Sequence, residues 1–339
     1  LFFMGKNFLL AIGLLAGTII GAGVFALPYV FNKLGWGIGV FYLLAFGLVY
    51  SAIHRMYASL LEKHRGGHEF VYLAGRYLPR RIGGAASLLI LGEMILVLVV
   101  YLALAPSFLR LVFPESGVLP LVLFFWAISS LFMFAKLSIL GWVEAAGIFG
   151  ILAIIFVIFF AGAASFLKLE LAPQKIDWPL ALLPFGPLLF AFSGRPAISR
   201  VLDVLKKAPS RKKFSLKKAV FWGTMIPALI YLMFVFSVLR LQSNVSEDTM
   251  GSLSFLPREF LVVLGVLGFL TLWTSHFMIG INVMETVDED LRFPKFFGVF
   301  LAVFLPLLLY LAGLNKFLRV VSFTGGVLLA FEAIFVITM

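Results

Sequence analysis

Three glycines within seven residues, Gly17, Gly21 and Gly23, and then Pro28, fall inside the first long apolar stretch of this 339-residue chain. Glycine weakens a helix by about 1 kcal/mol against alanine, and proline removes a backbone donor. In a lipid-spanning segment such a run predicts a broken helix, tolerated only where the backbone is covered by protein or lines a polar cavity. A second stretch has the same character: Pro184-Phe185-Gly186-Pro187 leads through Phe190-Ala191-Phe192 to Ser193-Gly194-Arg195-Pro196. Backbone freed in this way can bind a zwitterion. The amides of Gly21, Ala22 and Gly23 would hold a carboxylate at the start of a half-helix. The carbonyls of Ile20, Phe190, Ala191 and Phe192 would accept from an ammonium, with hydroxyl contacts from Thr18 and Ser193. No charged side chain is required. Two plainer readings stay open: Gly17 and Gly21 also fit a small-residue packing face, and Thr18 and Ser193 also fit bonds back to their own helix.

Other side chains could do chemistry from inside apolar segments. Thr271, Thr274 and Ser275 stand at i, i+3 and i+4, which puts three hydroxyls on one helix face, a pattern equally suited to helix packing. Ionisable residues at membrane depth are functional candidates by default. They are Glu93, Glu144, Arg195, His276 and Glu332. Glu93 or Glu144 is expected to pair with Arg195 or to carry a coupling proton, although Glu144 also reads as a residue of the inner interface. His276, turned roughly 100° from Ser275, is expected to bond a neighbouring helix. Tyr101 is placed to cover a bound molecule, and Phe25, Phe190 and Phe192 would complete an apolar, aromatic-walled pocket suited to a neutral hydrophobic or aromatic side chain. His64, His68 and Glu69 have metal-like spacing but no further ligand, so a solvated loop is the plainer reading.

The elements that must position these groups are membrane helices. Hydrophobic residues make up 62% of the chain and charged residues 13%, the composition of a polytopic membrane protein. Ten apolar segments of spanning length are predicted, near 8–31, 36–60, 84–112, 118–135, 141–167, 179–200, 218–239, 258–284, 296–313 and 318–338. Residues 70–77, between the second and third, have helical spacing and are expected at the inner interface. With the N-terminus inside, eighteen Lys and Arg fall in inner loops and eight in outer ones, Arg195 being within a span. That asymmetry places the N-terminus in the cytoplasm and accounts for the net charge of +11 without nucleic acid. The dense basic run from Lys206 to Lys218 reads first as this topology signal and second as a contact for anionic lipid. The chain begins with Leu and stops within an apolar run, so both ends are expected to be trimmed.

The two interrupted segments are the first and the sixth, five spans apart. Paired interruptions at corresponding positions are the sequence sign of a transporter built from two repeats. An odd repeat of five spans makes the second copy inverted. The expected fold is therefore all-α and polytopic, with about ten transmembrane helices in a five-plus-five inverted repeat, and with helices one and six broken at mid-membrane. The repeats are 1–167 and 168–339, together one transmembrane domain. An enzyme would need a convergent nucleophile, acid–base pair or metal cluster. With no Cys, four His and scattered carboxylates, none is visible.

The Gly17–Pro28 stretch resembles the first helix of the amino acid/auxin permease family and of bacterial aromatic amino acid permeases. Pro184-Phe185-Gly186 through Ser193-Gly194 resembles their sixth helix, and Asp288-Glu289-Asp290-Leu291 is similar to a less specific motif of the same group. The resemblance implies the fold of the bacterial leucine transporter and an alternating-access, ion-coupled symporter of amino acids. It also implies a sodium site held by the carbonyls of Gly17 and Ile20, the carbonyl of Thr271, and the hydroxyls of Thr274 and Ser275. Proton-coupled relatives place a helix-five lysine near that position, and the fifth span here has no interior lysine, which favours sodium. Family members often have an eleventh span. The expected partners are an amino acid and the lipid bilayer, with no cofactor, no nucleic acid and no obligatory protein partner, in a prokaryotic plasma membrane. A sensor that binds amino acids without moving them, and a proton-coupled permease, are the alternatives.

Overall fold

Long apolar runs leave the backbone no partner but itself, so helix is the structure that satisfies it in lipid. The computed structural model describes residues 2–64, 70–134, 140–164, 178–206 and 213–339. No strand occurs among them. The first apolar stretch is divided into α1 (Phe2–Ile19), a 3-10 turn (Ala22–Ala26) and α2 (Leu27–Leu34). The arms on either side are bent by 50°. Pro28 lies in the first turn of α2, where its missing N–H breaks no intrahelical bond, so it starts a helix instead of kinking one.

Gly35, at φ 85°, turns the chain directly into α3 (Trp36–Lys63). The short α4 (Phe70–Tyr77) buries Phe70, Leu73 and Ala74 against α5 (Arg80–Val112), as its spacing predicts. At 33 residues α5 is about 50 Å long, more than a bilayer core requires. Next come α6 (Val118–Phe132) and α7 (Leu140–Ala164). The second interrupted stretch holds α8 (Phe185–Ala191) and α9 (Ala197–Lys206). Pro184 and Pro196 immediately precede these two helices and Pro187 sits in the first turn of α8, so here too proline opens half-helices.

The remaining elements are α10 (Lys213–Leu241), α11 (Arg258–Glu285), α12 (Lys295–Val299), α13 (Leu305–Leu311), α14 (Phe317–Phe323) and α15 (Ala330–Thr338). A π-helical segment joins α12 to α13 (Phe300–Phe304) and another joins α14 to α15 (Thr324–Leu329). Five helices among the described residues are long and apolar enough to cross a membrane, six if the bent first pair is counted as one span. Four shorter apolar helices, Val118–Phe132, Gly147–Gly162, Leu180–Ala191 and Lys295–Leu311, fall on the other expected spans.

In the core, α11 runs along α5 and α7, while α1 packs on α10 and α9. At the α2 end this core is sealed. Phe25 is fully buried, edge-on to Phe108 at 5.1 Å and to Phe234 at 5.8 Å. Above it Thr249 donates its hydroxyl hydrogen bond to the Phe25 carbonyl. Cavities lie on the opposite side, around the interruption after Ile19.

Candidate functional site

The site is built where helical hydrogen bonding stops. Ile20 N–H still reaches the Ala16 carbonyl, at 2.9 Å, and the next bond of this kind is Val24 N–H to Gly21 O at 3.2 Å. Between them the first amides of the 3-10 turn have no acceptor within their own helix. Gly21 is extended, at φ −133° and ψ −159°, and a Cβ built on it would meet only the Ile19 carbonyl, at 3.9 Å. Gly23 is the opposite case. A Cβ there would stand 2.7 Å from Ala191 Cα, so this glycine lets the two interrupted segments touch backbone to backbone.

Tyr231, on α10, pins the two breaks together. Its hydroxyl lies 2.7 Å from both the Ile19 and the Ala191 carbonyl oxygens, one proton shared between them, and it also hydrogen-bonds the Gly21 backbone. Sequence reasoning missed this residue, because a tyrosine within an apolar span carries no signal of its partners. Its presence means that the Gly21 amide and the Ala191 carbonyl are already engaged. The Phe190 carbonyl likewise accepts from Ser193 N–H, at 3.3 Å.

Two cavities flank the break. The first, about 110 Å³, is lined by Thr18, Gly21, Ala22 and Gly23 from one interrupted segment and by Phe190 and Ser193 from the other. Tyr101 closes one side. Of the expected substrate residues, Ile20 lies on the second cavity instead, while Ala191 and Phe192 are buried behind the first. Phe192 packs on Tyr50 and Tyr231, and Phe25 belongs to the seal described above, so two of the four expected aromatic walls are elsewhere. In their place the cavity gains Glu93 and Arg195. Thr18 bonds back to the Leu14 carbonyl at 2.9 Å, the local reading of its hydroxyl.

The second cavity, about 140 Å³, brings together Gly17, Ile20, Thr271, Thr274 and Ser275, with Tyr101 shared between the two spaces. Thr274 donates to the Thr271 carbonyl at 2.9 Å, which leaves the lone pairs of its hydroxyl available. Thr271 donates to the Gly147 carbonyl at 3.3 Å, and Ser275 interacts with the Tyr101 hydroxyl. Gly147 makes this packing possible, because a Cβ on it would collide with the Thr274 hydroxyl. Two glycines three apart on the fifth apolar stretch, Gly147 and Gly150, were the available signal for that close approach.

The ionisable residues are arranged differently from expectation. Arg195 donates to the Glu332 carboxylate, a pairing made by bringing α15 against the α8–α9 link, and Glu93 stands beside this pair. Glu144 lies in α7, and its side chain falls outside the described residues. His276 bonds no neighbouring helix: it is fully buried against Phe125 and Tyr101, with neither ring nitrogen partnered among the described residues. His64 hydrogen-bonds the Tyr77 hydroxyl at 2.7 Å, and His68 and Glu69 lie outside the described residues. No cluster of metal-binding His, Asp or Glu occurs among the described residues.

Residues 4–239 match the sequence profile of the family described as "Transmembrane amino acid transporter protein". The match includes both interrupted segments and ends before α11. No curated protein matches the chain. Forty-three solved chains do. One of them, described as the inward facing conformation of Mhp1, is 17% identical, with 96% of this chain and 76% of that one aligned and a TM-score of 0.46.

Proposed function

The chain belongs to the transmembrane amino acid transporter family, a multi-pass membrane family of transporters and not of enzymes, and on that premise we propose that it carries a neutral amino acid by ion-coupled symport. The observation that carries this reading is the pair of adjoining cavities at the break after Ile19. One offers backbone amides and carbonyls to a zwitterion, and the other gathers uncharged oxygens for a cation.

In the first cavity the carboxylate lies against the open amides of the 3-10 turn, where the helix dipole favours negative charge. The ammonium faces the carbonyl end of α8, and the side chain rests between Tyr101 and Phe190. In the second cavity Na⁺ takes hard oxygens: the hydroxyls of Thr274 and Ser275 and the carbonyls of Gly17, Ile20 and Thr271. Because Thr18, Gly21 and Tyr101 border both spaces, filling one orders the wall of the other, and that shared wall couples the two solutes.

Residues 1–167 and 168–339 then act as two inverted five-helix halves, ten spans in all. The N-terminus is cytoplasmic, and the broken helices rock against the rest. The sealed Phe25 end faces outward. A polar cavity of about 260 Å³, which shares Pro196 and Arg200 with the cation cavity, leads inward.

Uptake of a radiolabelled amino acid panel into proteoliposomes under an imposed sodium gradient tests this. Sodium-driven accumulation that disappears in Thr274→Ala/Ser275→Ala is the expected result. Uptake indifferent to sodium would remove the cation site. Failure of a folded protein to accumulate any amino acid would overturn the transport reading.

A further inference from the structure

The first cavity has a charged wall for which the symport reading has no use. Arg195 lies between α8 and α9, and its guanidinium rests over the Phe70 ring at 5.0 Å and the Tyr57 ring at 6.0 Å. Its anion is Glu332. The two side chains are 11% and 7% exposed, so the pair is sequestered from water. A second carboxyl group, Glu93 of α5, lies within hydrogen-bonding reach of Glu332 and is itself 7% exposed. Ionised carboxylates only accept hydrogen bonds, so a bond between two carboxyl groups requires a proton between them. Charge gives the same count: one arginine offsets one carboxylate, and a second buried anion without a partner is costly.

Among the described residues, no other group that faces the cluster replaces that proton. From α3 come Tyr50, His54 and Tyr57. Thr224 gives its own proton to the Val220 carbonyl, so the 3.0 Å contact between His54 Nδ1 and the Thr224 hydroxyl has the imidazole as donor. His54 Nε2 and the Tyr50 hydroxyl have no partner among the described residues. Both border a space of about 10 Å³ beside Arg195 and Glu332, the size of one water molecule. Tyr101 stands across the substrate cavity, and Arg200, Glu285 and Glu289 border the inward cavity that Arg195 also lines.

Glu93 Oε2 is buried without a hydrogen-bond partner among the described residues, on a residue that lines the substrate cavity together with Gly21. We propose that Glu93 and Glu332 hold a single proton between them, balanced by Arg195, and that an ammonium group entering the cavity displaces it. The ammonium donates an N–H to the Glu93 carboxylate and the carboxyl proton leaves to water, so at the carboxyl pair one cation replaces another, while the substrate's own carboxylate is held apart at the amides of the 3-10 turn and its charge is met by the cation proposed for the second cavity. This rests on the amino acid reading of the cavity only for the identity of the displacing group.

Infrared difference spectra of the purified protein, recorded in water and in heavy water, test the proton directly. The expected result is one protonated-carboxyl band at neutral pH, lost in Glu93→Gln and lost equally in Glu332→Gln, where the remaining carboxylate serves Arg195 alone. A wild-type spectrum without the band, or a band that survives both substitutions, overturns the proposal. The second measurement adds each amino acid of the panel to weakly buffered protein containing a pH indicator. About one proton released per molecule bound, and none in Glu93→Gln, is expected. Binding without release overturns the displacement. If no amino acid binds, the transport reading fails, and the shared proton stands or falls on the infrared result.

Discussion

The two flanks of the helix-one break differ in how they handle charge. On the α11 side the hydroxyls of Thr271, Thr274 and Ser275 and the nearby carbonyls are neutral oxygens packed under Gly147, with Arg200 and Asn282 on the same wall. On the α15 side the protein has buried one cation and two carboxyl groups of its own, already cross-linked by Arg195 and Glu332. On this neutral flank Thr271 and Thr274 already donate within the fold, so their hydroxyls cost little to keep buried. The charged flank buries its groups as a balanced set, and under the proposal above the ammonium of an entering solute exchanges there for a proton. The same short stretch of freed backbone therefore borders both the space proposed to add a cation and the space proposed to trade one.

The largest effect that would sharpen this contrast is on stability. Replacing both carboxyl groups, Glu93→Gln with Glu332→Gln, leaves Arg195 buried without an anion and is expected to cost about 3–5 kcal/mol. Either single replacement leaves one carboxylate for the guanidinium and is expected to cost about 1–2 kcal/mol, the scale of one lost hydrogen bond to a charged group. Thermal unfolding of the four proteins gives the cycle. Purely additive losses would break the idea that Glu93 can stand in for Glu332.

Tyr231→Phe comes next. It removes the hydroxyl shared by the Ile19 and Ala191 carbonyls and is expected to lower stability by about 1–3 kcal/mol. Because that hydroxyl serves both flanks, amino acid binding and sodium dependence should weaken together. A variant that lost only one of them would assign Tyr231 to that flank. Gly147→Ala acts on the neutral flank alone. The added methyl displaces the Thr274 hydroxyl, and a tenfold or greater loss of apparent sodium affinity, about 1.4 kcal/mol, is expected with amino acid binding at saturating sodium retained. Sodium titration of uptake measures it, and an unchanged curve would remove Thr274 from the site.

How far the sequence reaches differs between the flanks for a physical reason. The interruptions at Gly21 and Ser193-Gly194 are legible because glycine and proline act on their own backbone, and the hydroxyl face of α11 is legible because helical periodicity aligns Thr271, Thr274 and Ser275. The roles of the prolines are only half legible: Pro28, Pro184 and Pro196 mark the breaks, but whether they kink a helix or begin one depends on the backbone before them. The pairing of Arg195 is not legible at all. A linear reading offers Glu93 or Glu144 as its partner, and only the packing that brings α15 to the α8–α9 link selects Glu332. Tyr231 is hidden in the same way, since its two acceptors lie 212 and 40 residues away.

The claim on which both flanks depend is that the break after Ile19 is where the amino acid sits, and Gly21→Val tests it most directly. A side chain at this position enters the cavity, and the one atom within 4 Å of its Cβ is the Ile19 carbonyl oxygen at 3.9 Å. Binding of the radiolabelled amino acid that the wild type accumulates best should be lost, while the melting temperature of the purified variant stays near the wild-type value. Wild-type affinity in the folded variant would contradict the account and place the substrate elsewhere in the protein.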